Sequence, residues 1–219
     1  MLPILSLFYG KNDIRNFLFY FLNNMFRINR TIQLLMLSDI FVLTGFGLID
    51  PILAIFVKDG FSGGSVFAAA TASTLFMLVK SLVQLPFSLK VDAYNDAQRA
   101  RWLLLGTVMV AIVPVIYIFA TSVVHIYIAQ IIHGAASGLA YSAWLGIWST
   151  HLDKNKESFE WSLYSTLVGF GTAAAAMVGG VVAQFIGFRW TFVLVGMMSL
   201  TGCLFLFILL QQKKKLLKS

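Results

Sequence analysis

Charge is what this chain has least of. Asp, Glu, Lys and Arg make up 11% of its 219 residues, where a soluble globular domain carries about a quarter. The shortage, with 59% hydrophobic residues and a mean hydropathy of +0.84, excludes an ordinary water-soluble domain. Cysteine occurs once, as Cys203, so neither a disulfide within the chain nor a cysteine-based metal cluster is expected. The three histidines, His125, His133 and His151, lack metal-ligand spacing. No Walker-type phosphate loop occurs, so direct use of ATP is not expected, and no cofactor is expected. Neither a His/Ser pair nor paired carboxylates fall at one depth, which argues against an intramembrane enzyme. Met1–Gly10 is apolar but has no basic n-region and no small-residue cleavage site after it, so a cleaved signal peptide is not expected.

What the chain has instead is six long apolar stretches, at about Thr31–Val57, Ser65–Leu89, Trp102–Ala120, Val123–Ser149, Glu160–Ala183 and Phe188–Leu210. Each reaches the roughly 20 residues a helix needs to cross the hydrocarbon. Backbone groups in lipid must be satisfied internally, so these stretches predict helices. The net charge of +7 is not spread evenly. Lys11, Arg15, Arg27 and Arg30 precede the first stretch. Lys90, Arg99 and Arg101 follow the second, Lys154 and Lys156 the fourth, and Lys213, Lys214, Lys215 and Lys218 the last. The alternate connections hold only Lys58 and Arg189. The positive-inside rule then predicts a multi-pass protein of the cell (plasma or inner) membrane with both termini cytoplasmic. That distribution argues against nucleic acid as a partner and for membrane lipid.

Three regions are predicted. Residues 1–30 form a cytoplasmic segment in which Asn16–Phe26, bracketed by Arg15 and Arg27, can lie flat as an interfacial amphipathic helix. Residues 31–210 form a six-helix transmembrane domain, and residues 211–219 a basic cytoplasmic tail. The short connections make the spans alternate in direction. Lengths fall into a gross three-plus-three pattern, a common plan for secondary transporters built as inverted repeats. Small residues form two stripes at four-residue spacing, Gly134, Gly138, Ser142 and Gly146, then Gly171, Ala175 and Gly179. Such stripes let helices approach closely in lipid.

The segment from Gly171 to Gly179-Gly180, followed by Gly187-Phe-Arg189-Trp190-Thr-Phe192, resembles the fifth and sixth helices of the major facilitator superfamily. Ala176 stands where antiporter members often carry Pro. Gln130-Ile-Ile-His133-Gly134-Ala-Ala-Ser-Gly138 is similar to the family's fourth-helix motif, with Gln130 in place of its Arg. Ser88-Leu-Lys90-Val-Asp92, with Arg99 and Arg101, resembles the loop between helices two and three. Leu43-Thr-Gly45-Phe-Gly47-Leu-Ile-Asp50-Pro51 resembles a first helix with Gly early and Pro late. The resemblance runs from about Thr31 to Leu210. It implies an all-α bundle like one half of a twelve-helix transporter. Its basic C-terminal tail reads as a finished end, so a half-size form is expected. The resemblance further implies secondary active transport of a small organic solute by alternating access. A parallel homodimer, or a pair with a related six-helix chain, would enclose the solute. The alternative is a membrane scaffold or assembly partner that keeps the half-fold without transporting.

Asp39, Asp50 and Lys80 fall inside predicted spans, where each charge costs about 2.5–3.5 kcal/mol on insertion scales. Asp39 and Lys80 lie at similar depth, about 12 and 14 Å from the cytoplasmic end at 1.5 Å per residue, which permits an ion pair. Asp50 directly precedes Pro51, whose missing N–H leaves the Gly47 carbonyl without its helical donor. A carboxylate beside free carbonyls at a broken helix can hold a cation or a proton, or serve only as a hydrogen-bonded kink. Tyr141, Trp144 and Trp148 share one helix face. Tyr141 and Trp144 read equally as a substrate-stacking surface or as an interfacial girdle, and Trp148 reads as girdle. Gln130 and His133 are candidate hydrogen-bond partners for a substrate. The resemblance gives Asp92 a latching role, with Arg99, Arg101 and Glu160 as candidate cytoplasmic gating partners. Gly134, Gly138, Gly171, Gly179 and Gly180 are the candidate packing positions.

Overall fold

The structure, a computed structural model, describes residues 28–216. Among these the protein is all-α, with seven helices and no strand. They are α1 (Arg30–Gly47), α2 (Leu53–Gly60), α3 (Val66–Val91), α4 (Asp96–Phe119), α5 (Val123–His151), α6 (Glu157–Phe185) and α7 (Phe188–Leu216). The expected interfacial helix at Asn16–Phe26 and the last residues of the basic tail lie outside the described residues. Residues 211–216 continue α7 as helix.

Starts and stops follow local chemistry. Asn29 Oδ1 accepts the Thr31 N–H at 2.9 Å, and Ser65 Oγ accepts that of Ala68 at 3.0 Å. At α4 the Asn95 and Gln98 side chains each accept the other's backbone N–H at 3.0 Å, a reciprocal cap. This cap starts α4 before the apolar run at Trp102 that marks the span in the sequence.

The first apolar stretch is not one helix, as its hydropathy predicts. It is α1 and α2, separated by turns at residues 48–52. Pro51 offers no N–H to the Gly47 carbonyl, and its ring disfavours a helical turn at that point. Hydrogen bonds from Asp50 N to Phe46 O (3.0 Å) and from Leu53 N to Ile49 O (2.7 Å) carry the chain across the break. Among the described residues five helices, α3 to α7, are long and apolar enough to cross a membrane. Among these residues α1 and α2 together make the sixth expected span only as one broken crossing.

Helix α3 packs on α5 and α6 on α1; α4 packs on α5 and α7 on α1; α4 and α7 pack on each other. Exchanging the first three spans with the last three maps these packings onto themselves, the relation a three-plus-three repeat requires. The small stripes make the two equivalent approaches. A Cβ on Gly134 would sit 2.5 Å from Phe76 O, and one on Gly138 2.8 Å from Lys80 O, both on α3. Ser142 Oγ donates to Gln84 O at 3.0 Å across the same interface. A Cβ on Gly171 would run into the Thr44 hydroxyl, and one on Gly179 into the Leu48 carbonyl. At Gly180 a Cβ would meet nothing within 4 Å, so that residue makes no close approach among the described residues.

Two apolar cores form. One holds Phe46, Ile49, Val113, Tyr117, Ile126 and Phe192. The other, towards the end of the bundle that carries Lys90, Arg99 and Lys213, holds Leu35, Leu103, Ile147, Trp148 and Leu209. That end is called the basic end below.

Candidate functional site

A cavity of about 600 Å³ borders both cores and is lined from α1 to α6 and from the break between α1 and α2. Its wall includes Asp39, Asp50, Lys80, Gln130, His133, Tyr141 and Trp144, so one space collects every residue the sequence nominates for substrate or ion coupling. Ser73, Ser137, Thr107, Tyr117 and Tyr164 add polar atoms to it.

Asp39 and Lys80 share the cavity but not an ion pair, contrary to what their depth permits. Tyr164 Oη donates to Asp39 Oδ2 at 2.8 Å. Lys80 Nζ lies over the rings of Tyr141, 5.2 Å from its centroid, and Phe76, 5.9 Å away. Ring faces attract a cation and partly replace a carboxylate. Tyr164 carries no signal in the sequence that ties it to Asp39, 125 positions earlier. Only the α1–α6 packing brings the two together.

Around α5 the aromatic side chains stack. Tyr141 lies 6.1 Å from Trp144 with ring planes 8° apart, and Trp144 lies 4.7 Å from Trp148. Trp161 and Tyr164 of α6 close the cluster against Trp148 at 5.1 and 5.2 Å. Trp148, read from the sequence as interfacial girdle, is 1% exposed and belongs to the core. It faces Trp161 and Tyr164 in the interior of the bundle and not its outer surface, where a girdle residue would lie. His133 lies between Phe46 and Phe76, 4.5 Å from each centroid. Gln130 is 3% exposed, and its side chain has no hydrogen-bond partner among the described residues. Asp50 is exposed at the break between α1 and α2, on the cavity wall with Tyr117.

The basic end is tied by contacts that sequence reasoning only partly anticipates. Arg99 donates to Val91 O (3.1 Å), Gly146 O (2.9 Å) and Asp92 O (3.2 Å). One side chain thus clamps the α3–α4 turn to α5. Asp92 contributes its carbonyl to this clamp, and its carboxylate has no ion pair among the described residues. Arg101 is exposed and likewise without an ion pair among them. Asp96 Oδ2 lies 3.0 Å from both His151 Nε2 and Lys213 Nζ, joining α4, α5 and α7. Lys213 Nζ is 2.6 Å from His151 Nε2. The sequence shows these three only as loop and tail charges; their common level at the basic end is the signal that unites them. Glu160 is fully buried, and its Oε2 accepts the Asp153 N–H at 3.4 Å. Among the described residues, no group of three His, Cys, Asp or Glu is placed to hold a metal ion.

The arrangement is a largely apolar, aromatic-lined cavity, set with a few polar and ionisable side chains, in a helical bundle that repeats three plus three. Residues 35–219 match the family model of the Major Facilitator Superfamily. The chain belongs to the major facilitator superfamily. No curated protein matches it. As a superfamily member it is an integral, multi-pass membrane protein in contact with lipid, and membership implies a transporter of small solutes. In this superfamily chain the cavity has the character of small-molecule sites, a concave and mostly apolar space with a few polar side chains in its wall.

Proposed function

We propose that this chain is one wall of a secondary active transporter that moves a small organic solute by alternating access. The observation that carries the proposal is the cavity itself. A bundle held together by packing alone has no need of Asp39, Lys80, Gln130 and His133 around one 600 Å³ space. Ionisable groups within membrane spans are expensive and mark solute and ion pathways. Asp50, at the α1–α2 break, is the proposed coupling group: a carboxyl wet in one state and enclosed in the other gains and loses a cation or proton as the protein cycles. Arg99, with the Asp96–His151–Lys213 cluster, is proposed to hold the basic end closed in one of the two states, with Asp92, Arg101 and Glu160 at the same level.

The opposite wall is proposed to come from a second copy inserted in the same orientation, related by a two-fold axis along the membrane normal. Support comes from α3 and α6, the equivalent helices of the repeat. They bury only 17% and 11% of their most apolar stretch, against 33–44% for α4, α5 and α7. They flank the cavity through Lys80 and Tyr164. Both termini are proposed to be cytoplasmic, from the charge asymmetry of the connections.

Purified protein in liposomes loaded with a pH-sensitive dye tests the reading. Adding candidate small organic solutes is expected to move protons, and Asp50→Asn to abolish that movement while the variant still inserts. Silence of the wild-type protein with every solute, under a sodium gradient as well as a proton gradient and with solute uptake also absent, would favour the scaffold alternative.

A further inference from the structure

We propose that the cavity takes a zwitterionic solute, with the anionic group at Lys80 and the cationic group at Asp39. This rests on the carrier reading above and names its substrate class.

Lys80 and Asp39 line one cavity, yet each is left with neutral neighbours. Lys80 has the faces of Tyr141 and Phe76, and Asp39 has a single hydroxyl donor, from Tyr164. A charge held inside a membrane bundle needs a counter-charge or water. Here two ionisable groups of opposite sign come from different helices, α3 and α1, and form no ion pair with each other. An anion would neutralise Lys80 and leave Asp39 unanswered, and an amine would do the reverse. A solute with both ends answers both.

The wall between the two charges supplies a surface for the body of such a solute. Tyr141 beneath Lys80 stacks nearly parallel to Trp144 at 6.1 Å, and Trp144 lies 5.3 Å from Tyr164, which holds Asp39. An unbroken run of rings therefore links one charge to the other. Aromatic shelves of this kind bind apolar and flat groups. Gln130, buried in the same wall with neither donor nor acceptor used, can bond a polar substituent. Asp50 lies near the other end of the cavity, where coupling is assigned above.

Thermal unfolding of the purified full chain in detergent, followed by tryptophan fluorescence, tests this with defined probes. These are the twenty standard amino acids and, for each one that shifts the transition, its decarboxylated amine and its deaminated acid. At least one amino acid with an uncharged side chain is expected to raise the midpoint, and its amine and acid are not. Lys80→Met and Asp39→Asn are each expected to weaken that binding about tenfold or more, as for loss of a charge-assisted contact, and Lys80→Arg to retain it. If either neutral variant fails to fold, the comparison of amino acid, amine and acid on the wild type decides alone. The proposal is overturned if no amino acid shifts the midpoint. It is equally overturned if the acid binds as well as the amino acid and ignores Asp39→Asn, or the amine does so and ignores Lys80→Met. Flux of a singly charged solute in liposomes would keep the carrier and remove the zwitterion; amino-acid binding without any flux would do the opposite.

Discussion

Gly179 and Gly180 are neighbours in sequence and opposites in structure. The first faces the Leu48 carbonyl at the end of α1, where an added Cβ has no room. The second faces open space. Gly179→Ala therefore pushes α6 away from the α1–α2 break and is expected to cost about 1–3 kcal/mol, the usual penalty of overpacking. Gly180→Ala is expected to lie within about 0.5 kcal/mol of wild type or to stabilise slightly, since alanine is the better helix former. Melting temperatures of the two variants in detergent check the contrast; equal losses would mean that α6 does not meet α1 as described. The glycine stripes themselves are visible in the sequence as four-residue spacing. Which member of the Gly-Gly pair touches a partner is not, because that depends on the rotation of α6 against α1.

At the scale of elements, the spans are legible wherever hydropathy alone sets them, and less so where backbone chemistry intervenes. Helices α3, α5 and α6 begin and end within three residues of their apolar runs. Helix α4 starts earlier because Asn95 and Gln98 cap it, a signal of polar residues that a hydropathy reading passes over. The break at Asp50-Pro51 is visible as a missing N–H, but an uninterrupted apolar run conceals that it divides the stretch into two helices. The side-chain partners are the least legible. Asp39 and Lys80 are matched in depth, yet Tyr164 takes the carboxylate, because α1 meets α6 and Lys80 points to the rings of α3 and α5. The basic end is likewise a matter of three helix ends arriving together. Asp96 is the single acid that Lys213 and His151 share at 3.0 Å. Asp96→Asn leaves a nearly buried ammonium beside an imidazole with no carboxylate in contact. The expected loss is about 1–3 kcal/mol, below that for a fully buried pair because Asp96 is a third exposed. Limited proteolysis at the connections 92–95 and 152–156 should quicken in that variant. Unchanged cleavage would show that the cluster does not tie α4, α5 and α7 together.

For the molecule as a whole, the fold class was readable from composition and run length. The cavity was readable in its residues but not in its shape, since no one-dimensional pattern tells that Tyr164 and Ser137 face the same space as Lys80. The proposed second wall makes its own prediction. Ser81 on α3 and Leu167 on α6 are both exposed and lie at matched depth, about 15 Å from the basic end at 1.5 Å per residue. Ser81 follows Met77 by one helical turn and Leu167 follows Tyr164 by three residues, so both lie on cavity-facing sides. In a Cys203→Ser background, the Ser81→Cys, Leu167→Cys variant is expected to form disulfide-linked dimers in native membranes under mild oxidation. The corresponding single-cysteine variants are expected to do so far less. Monomer throughout would remove the second copy as the missing wall.

The central claim is that the space bounded by Asp39, Lys80 and Tyr141 opens alternately to the two sides of the membrane. Ser137, on the wall of that space, reports on it without knowledge of the substrate. In membranes carrying the Cys203→Ser, Ser137→Cys variant, a membrane-impermeant maleimide is expected to label the new thiol when supplied from either face. Protection from both faces, or labelling from one face alone under every condition, would contradict the account.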